Sequence, residues 1–160
     1  MKKYDKLLDE AFENGIKIKD KRCFNSNAKA LIAGKVIGLS EELETTAEKK
    51  CALSEELAHF DIGGGDILGL KSDINASRIE YRARKKAVFD MVAPEDFIDA
   101  YKNGVQNFYD FADFLNITTD FLEETIKIYK QTYGNFLKVG DYYIMFDPLG
   151  ICDMTFGKEE

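Results

Sequence analysis

The residues with the clearest chemical potential are Glu55, Glu56 and His59, which share one predicted helix and include the only histidine of the chain. Side chains at positions i and i+4 of a helix lie on one face, roughly 5–6 Å apart at Cβ, so Glu55 and His59 can reach a common ion. Glu56 lies between them, where a carboxylate could accept a proton from a bound water. The pattern favours a metal site with an adjacent general base.

This spacing differs by one residue type from the H-E-x-x-H motif of zinc peptidases, because Glu55 stands where the first histidine would be. Zinc accepts carboxylate oxygens as well as imidazole nitrogens, and catalytic sites commonly use three protein ligands and a water. A set of two carboxylates and one histidine binds less tightly and lets manganese or magnesium compete with zinc. The spacing alone is also typical of a solvated glutamate pair on an amphipathic helix, with His59 as an ordinary packed or surface histidine.

The composition is that of a soluble globular chain. Its 160 residues suit one compact domain, predicted over 1–160, and no apolar run approaches the roughly 20 residues needed to cross a bilayer. The N-terminus is charged, unlike a signal peptide. The three cysteines are widely spaced, which indicates reduced thiols in a cytoplasm, and Cys51 is expected to pack inside its helix. The net charge of −7 argues against a nucleic-acid surface over the whole protein.

The pattern of apolar residues predicts an α+β fold that is mostly helical, with a small sheet, a helical C-terminal region and a terminal β-hairpin. Thr45 and Glu48 fit a capping box at the start of the helix that carries His59. The predicted subdivision is 1–92, 93–135 and 136–160. The helices are expected at Lys2–Asn14, Thr45–Gly63, Asp73–Val92, Glu95–Lys102, Phe108–Leu115 and Thr119–Tyr133. The strands are expected at Ile16–Lys19, Ala30–Ala33, Val36–Leu39, Tyr142–Phe146 and Ile151–Phe156, with a turn at Gly63–Gly65.

Several segments, in this order, resemble the ImmA/IrrE family of phage and mobile-element metallopeptidases. The run Thr45–His59 is similar to the active-site helix of the family, and Lys35–Leu39 is similar to the strand before it. The segment Glu80–Ala87 resembles the second conserved helix, and Ala112–Gly134 resembles the helical C-terminal region. The resemblance covers nearly the whole chain and implies a zincin-like core over 1–92.

The resemblance also implies a third metal ligand. Members of the family resemble thermolysin-like zincins, in which a glutamate on the helix after the motif completes the site, and Glu80 matches that position. Asp61 and Asp66 are the alternatives near the end of the motif helix. The other role for Glu80 is a surface charge paired with Arg84. The cofactor implied is a divalent metal, zinc or manganese, bound by Glu55, His59 and Glu80.

The implied function is that of a cytoplasmic metallopeptidase that cleaves a transcriptional repressor of the phage type. Glu56 would take a proton from the metal-bound water and deliver it to the leaving nitrogen. Because Glu55 adds a second anionic ligand, the ion is a poorer Lewis acid, which leaves open a catalytically silent regulator that binds a protein partner. A DNA-binding helix-turn-helix at Phe108–Leu115 and Thr119–Tyr133 is disfavoured, since its second helix begins with acidic residues.

Overall fold

The computed structural model describes residues 2–63 and 73–156, which fall into two compact units, 2–91 and 92–156. Within these residues the chain has six helices and two three-stranded sheets, so the α+β prediction is confirmed. The boundary between the units lies within one residue of the subdivision expected after residue 92. The single domain over 1–160 stays a prediction. The expected turn residues Gly64 and Gly65 lie outside the described residues, as does Asp66.

The N-terminal unit combines a three-stranded sheet with three helices. Strand β3 is central, pairing in parallel with β1 and antiparallel with β2. Gly34 and Lys35 form the two-residue turn between β2 and β3, and Gly34 adopts a positive φ of 58°, which glycine tolerates without steric cost. The elements are α1 (Tyr4–Glu13), β1 (Lys17–Arg22), β2 (Ala30–Ala33), β3 (Val36–Ser40), α2 (Thr46–Gly63) and α3 (Asp73–Met91).

Helix α2 begins at the predicted capping box. The backbone N–H of Glu48 donates to Thr45 Oγ1 at 3.1 Å, and the Glu48 carboxylate accepts from the Thr45 N–H at 2.8 Å. These bonds satisfy backbone donors that the first turn of a helix leaves unpaired. The hydrogen bond from the Thr45 backbone is the main reason that the pKa of Glu48 lies below its ordinary value. The start of the motif helix is therefore set by local sequence.

The packing of α2 fixes the rest of this unit. The helix contacts α1, α3 and strands β2 and β3, and it buries Cys51, as expected, together with Leu53 and Leu57. Its two ends are also tied by ion pairs. Lys49 Nζ lies 2.7 Å from Asp20 Oδ2 of β1, and Asp61 Oδ2 near the other end lies 3.1 Å from Lys86 Nζ of α3.

The C-terminal unit packs three helices against one antiparallel sheet. The helices match the predicted bounds closely, and Pro94 opens the first of them rather than only ending the helix before it. The predicted terminal hairpin is present, since Tyr142–Phe146 pairs antiparallel with Leu149–Asp153, although the last strand was expected at Ile151–Phe156. An additional strand that was not predicted, Phe136–Val139, pairs with Tyr142–Phe146 and makes a three-stranded meander. The elements are α4 (Pro94–Lys102), α5 (Phe108–Leu115), α6 (Thr119–Tyr133), β4 (Phe136–Val139), β5 (Tyr142–Phe146) and β6 (Leu149–Asp153).

Aromatic side chains form the core of the C-terminal unit. The ring of Tyr129 lies 5.9 Å from that of Phe97 and 5.7 Å from that of Phe146, and its hydroxyl donates to the carbonyl oxygen of Val92 at 2.7 Å. This bond gives the buried phenol a partner, as burial requires. Among the described helices of both units, none is both long enough and apolar enough to cross a membrane.

Replacement of Thr45 by alanine should lower the free energy of unfolding of the N-terminal unit by about 1 kcal/mol, because the first turn of α2 loses its side-chain cap. Thr46→Ala is the matched control, since Thr46 is the next residue and is equally exposed. Urea denaturation followed by circular dichroism measures both changes. Equal effects of the two substitutions would contradict the capping role of Thr45.

Candidate metal-binding site

The packing of α2 against α3 brings His59 and Glu80 together. His59 Nε2 lies 3.3 Å from Glu80 Oε2, and the side chains are 12% and 49% exposed. Glu80 shares one face of α3 with Ala83 and Ala87, since positions i, i+3 and i+7 align along a helix. Both alanines are buried, so Glu80 lies at the margin of the packed face of α3. The two side chains are therefore in contact, and their role as metal ligands stays a prediction.

The separation of these atoms suits two ligands of one small cation. A tetrahedral zinc ion with bonds of about 2.0–2.2 Å keeps its ligand atoms about 3.3–3.6 Å apart. A charge-assisted hydrogen bond between the same groups would be shorter, at about 2.7–2.9 Å. The observed 3.3 Å between His59 Nε2 and Glu80 Oε2 is compatible with two ligands of one ion, and it is also the separation of a loose ion pair, like the 3.2 Å between Arg84 and Glu80. The nitrogen and oxygen donors are also of the kinds that zinc and manganese accept.

The imidazole of His59 is in the protonation state that a ligand needs. Burial lowers the pKa of His59 below its ordinary value, the carboxylate of Glu80 opposes this change, and Arg84 adds to it. A neutral imidazole can offer a ring nitrogen to a cation. The other ring nitrogen, Nδ1, is buried and has no hydrogen-bond partner within the described residues. Ligand histidines usually donate from that nitrogen to a second group, whereas this ring is oriented by packing and by the contact of Nε2 with Glu80.

Glu56 has the properties of a general base. Burial is the main cause that raises its pKa to about 7, and the charges of Glu55 and Glu80 raise it further. The backbone N–H of Ile32 donates to the Glu56 carboxylate and acts in the opposite direction. Ile32 belongs to β2, an outer strand of the N-terminal sheet. A carboxylate with a pKa near neutrality can both accept and release a proton under physiological conditions.

Glu55 is the predicted ligand that the structure does not join to the others. It is half-buried, and its charge acts on Glu56. Across residues 2–63 and 73–156, no group of three His, Cys, Asp or Glu side chains is arranged to hold a metal ion. Two of the three proposed ligands are therefore together in this conformation, and the ligand role of Glu55 stays a prediction. The alternative ligand Asp61 is engaged with Lys86.

The sequence suggested one contact of this site and did not suggest another. The pair between Arg84 Nη2 and Glu80 Oε1, at 3.2 Å, is the i,i+4 contact considered above as an alternative role for Glu80. The structure shows that Glu80 contacts Arg84 and His59 at once. The contact between Glu56 and the Ile32 amide was missed by sequence reasoning, because every residue type except proline carries such an N–H group.

Comparisons of the chain with protein-family models, with curated proteins and with solved structures find no match. The resemblance to the ImmA/IrrE family therefore stays a prediction made from the motifs and their order.

Glu56→Gln should stabilise the metal-free protein at high pH. A carboxyl group whose pKa rises from 4.5 to about 7 on folding binds its proton more tightly in the folded state. Its contribution to stability is therefore lost as the pH rises between these values. Glutamine cannot ionise and can still accept from the Ile32 N–H. We expect a gain on the order of 2–3 kcal/mol at about pH 8 and little change at about pH 4.

Chemical denaturation across this pH range in the presence of a chelator measures the effect. Glu41→Gln, which changes an exposed carboxylate, is the control and should show no such trend. A gain in stability that does not depend on pH would mean that the pKa of Glu56 is not raised.

Proposed function

We propose that this protein is a metallopeptidase-like protein whose N-terminal unit is zincin-like and hydrolyses a peptide bond. The observation that carries the proposal is the 3.3 Å approach of His59 Nε2 to Glu80 Oε2, beside the half-buried carboxylate of Glu56. The order of the elements around α2 supports the same reading. His59 and Glu80 would hold a divalent cation, zinc or manganese, with Glu55 as the third ligand after a change of side-chain conformation.

The bound cation would polarise the peptide carbonyl and lower the pKa of a coordinated water. The residues of the chain perform the proton transfers. Glu56 would accept a proton from that water on its carboxylate, which a pKa of about 7 leaves about half ionised at neutral pH, and would then deliver it to the leaving nitrogen. The Ile32 N–H holds the Glu56 carboxylate in place at the edge of the sheet. Burial around His59 limits the access of bulk water.

The substrate that we propose is a transcriptional repressor of the phage type, and the compartment is the cytoplasm. Both follow from the resemblance of Thr45–His59 and Glu80–Ala87 to the ImmA/IrrE family. A repressor is a protein substrate, which suits a site that lies beside the outer strand β2. An extended peptide could approach Glu56 along that strand.

A second function is favoured by specific observations. Glu55 replaces the first histidine of the motif, and His59 Nδ1 has no partner within the described residues. Both features weaken metal binding, and loss of the second partner of a ligand histidine typically costs about 10–100-fold in affinity. The alternative is therefore a catalytically silent regulator that keeps the fold and acts by binding a protein. A measurement of metal binding distinguishes the metallopeptidase from the silent regulator.

Calorimetric titration of the chelator-stripped protein with zinc and with manganese should show about one bound ion, with an affinity below that of a site with two histidines. His59→Ala should abolish binding, because it removes the only nitrogen ligand. Glu80→Gln should weaken binding about tenfold or more, whereas Glu41→Gln should leave it unchanged. If the wild type binds neither ion, the metallopeptidase proposal fails and the silent regulator takes its place.

Glu56→Gln should retain metal binding and lose proteolysis, because the amide cannot accept the proton of the water. The assay incubates the metal-loaded protein with a repressor encoded near it and follows fragments by mass spectrometry. Glu41→Gln is again the matched control. Cleavage by Glu56→Gln at the wild-type rate would contradict the assigned base even if metal binds.

A further inference from the structure

The first strand of the N-terminal sheet carries an unusual concentration of positive charge. Strand β1 contains Lys17, Lys19, Lys21 and Arg22 with a single acidic residue, Asp20, and all five are exposed. The chain as a whole has a net charge of −7. Strand β1 is therefore a local region of opposite sign.

The charges of β1 are separated between the two faces of the sheet. Asp20 faces the helices, because its carboxylate pairs with Lys49 of α2 at 2.7 Å. The ladder is irregular between Lys19 and Arg22, but before that point Ile18 lies opposite the buried Ile37 of β3. Side chains alternate along this regular part of the strand, so Lys17 and Lys19, on either side of Ile18, project to the other face. Within the described part of the chain, neither Lys17 nor Lys19 forms an ion pair. The only carboxylate of the strand is thus neutralised on the helix side, and the outer face keeps its cations.

The same strand offers free backbone groups. In the order β1-β3-β2, strand β1 is outermost, and its other edge is paired with no strand among the described residues. Lys17 and Lys19 lie opposite Val36 and Gly38 of β3. On this face Leu31 of β2 is 48% exposed, while the side chains of Phe24 and Arg22 lie over Gly38 of β3. An open edge with unpaired N–H and C=O groups can accept a further strand.

We infer that the free edge of β1 binds an extended acidic segment of a partner protein. Alternate side chains of a strand recur about every 6.6 Å, so acidic residues at alternate positions of the added strand would lie beside Lys17 and Lys19. Opposite charges on neighbouring strands stabilise their pairing, and like charges destabilise it. Pairing of β1 with β1 of a second copy would place lysines beside lysines. The charges of β1 therefore favour an acidic peptide over a second copy of the chain.

The backbone and the overall charge favour a peptide over a nucleic acid. A peptide strand can form hydrogen bonds with the unpaired amides of β1, in addition to the contacts with the lysines. A nucleic acid is a dense polyanion, and the net charge of −7 repels it more strongly than a short peptide. This binding edge is on the opposite side of the sheet from β2 and Glu56. The inference therefore does not depend on the metal or on catalysis.

The test uses a fluorescein-labelled peptide of about ten residues, the length of a long strand, that alternates glutamate and threonine. Fluorescence anisotropy at low salt should show binding that weakens as salt rises. Lys17→Glu combined with Lys19→Glu should weaken binding about tenfold. The matched control, Lys3→Glu at the N-cap of α1 with Lys6→Glu in its first turn, makes the same change in net charge and should stay within about twofold.

Two further probes decide between strand addition and a simple cationic surface. The same peptide with alternate backbone nitrogens methylated should bind much more weakly, because it cannot pair with the edge of β1. A single-stranded oligothymidine of equal charge should also bind more weakly. Equal binding of the methylated peptide, tighter binding of the oligonucleotide, or no effect of the Lys17 and Lys19 reversals would overturn the inference. The last result would mean that these lysines only keep the edge from pairing.

Discussion

The burial of one charged helix is the constraint on which this structure depends. Helix α2 packs against α1, α3 and two strands of the sheet. It nevertheless carries the polar side chains of Glu55, Glu56 and His59 into this half-buried interface. Burying a charge without a partner is expensive, so each polar group must find a contact or change its protonation. Glu56 does both, since it accepts from Ile32 and has a raised pKa, and His59 lies against Glu80 with a lowered pKa. The chemical properties of the site are therefore consequences of packing.

Local sequence was sufficient for the helices and for part of the site. The capping box at Thr45 and Glu48 and the bounds of α5 and α6 matched expectation, because each depends on signals within a few residues, such as a cap or helical periodicity. Glu80 contacts His59, and the ligand roles that the family resemblance implies for both residues stay predictions. The same reasoning could not place Glu55, because the conformation of one half-buried carboxylate depends on all of its neighbours.

The sequence did not predict several of the contacts between elements. Strand β4 is only four residues long, and it is defined by its register with β5, in which Phe136 lies opposite Met145. The parallel pairing of β1 with β3 and the contact of the Ile32 amide with Glu56 have no residue-type signature either. The β1–β3 and Ile32–Glu56 contacts join residues far apart in the chain, where hydrophobic alternation predicts a strand but not its partner. Strand β4 was missed for another reason, since so short a run carries little alternation.

The two oxygens of Glu80 have separate neighbours, and this has a consequence for ion selectivity. Oε1 lies 3.2 Å from the guanidinium of Arg84, and Oε2 lies 3.3 Å from His59. While Arg84 occupies Oε1, the carboxylate can offer a cation a single oxygen. Calcium prefers six to eight oxygen ligands and often takes both oxygens of a carboxylate, whereas zinc needs only four ligands. A cation bound at this position, as proposed above, would therefore meet a single oxygen of Glu80, and this disfavours large ions.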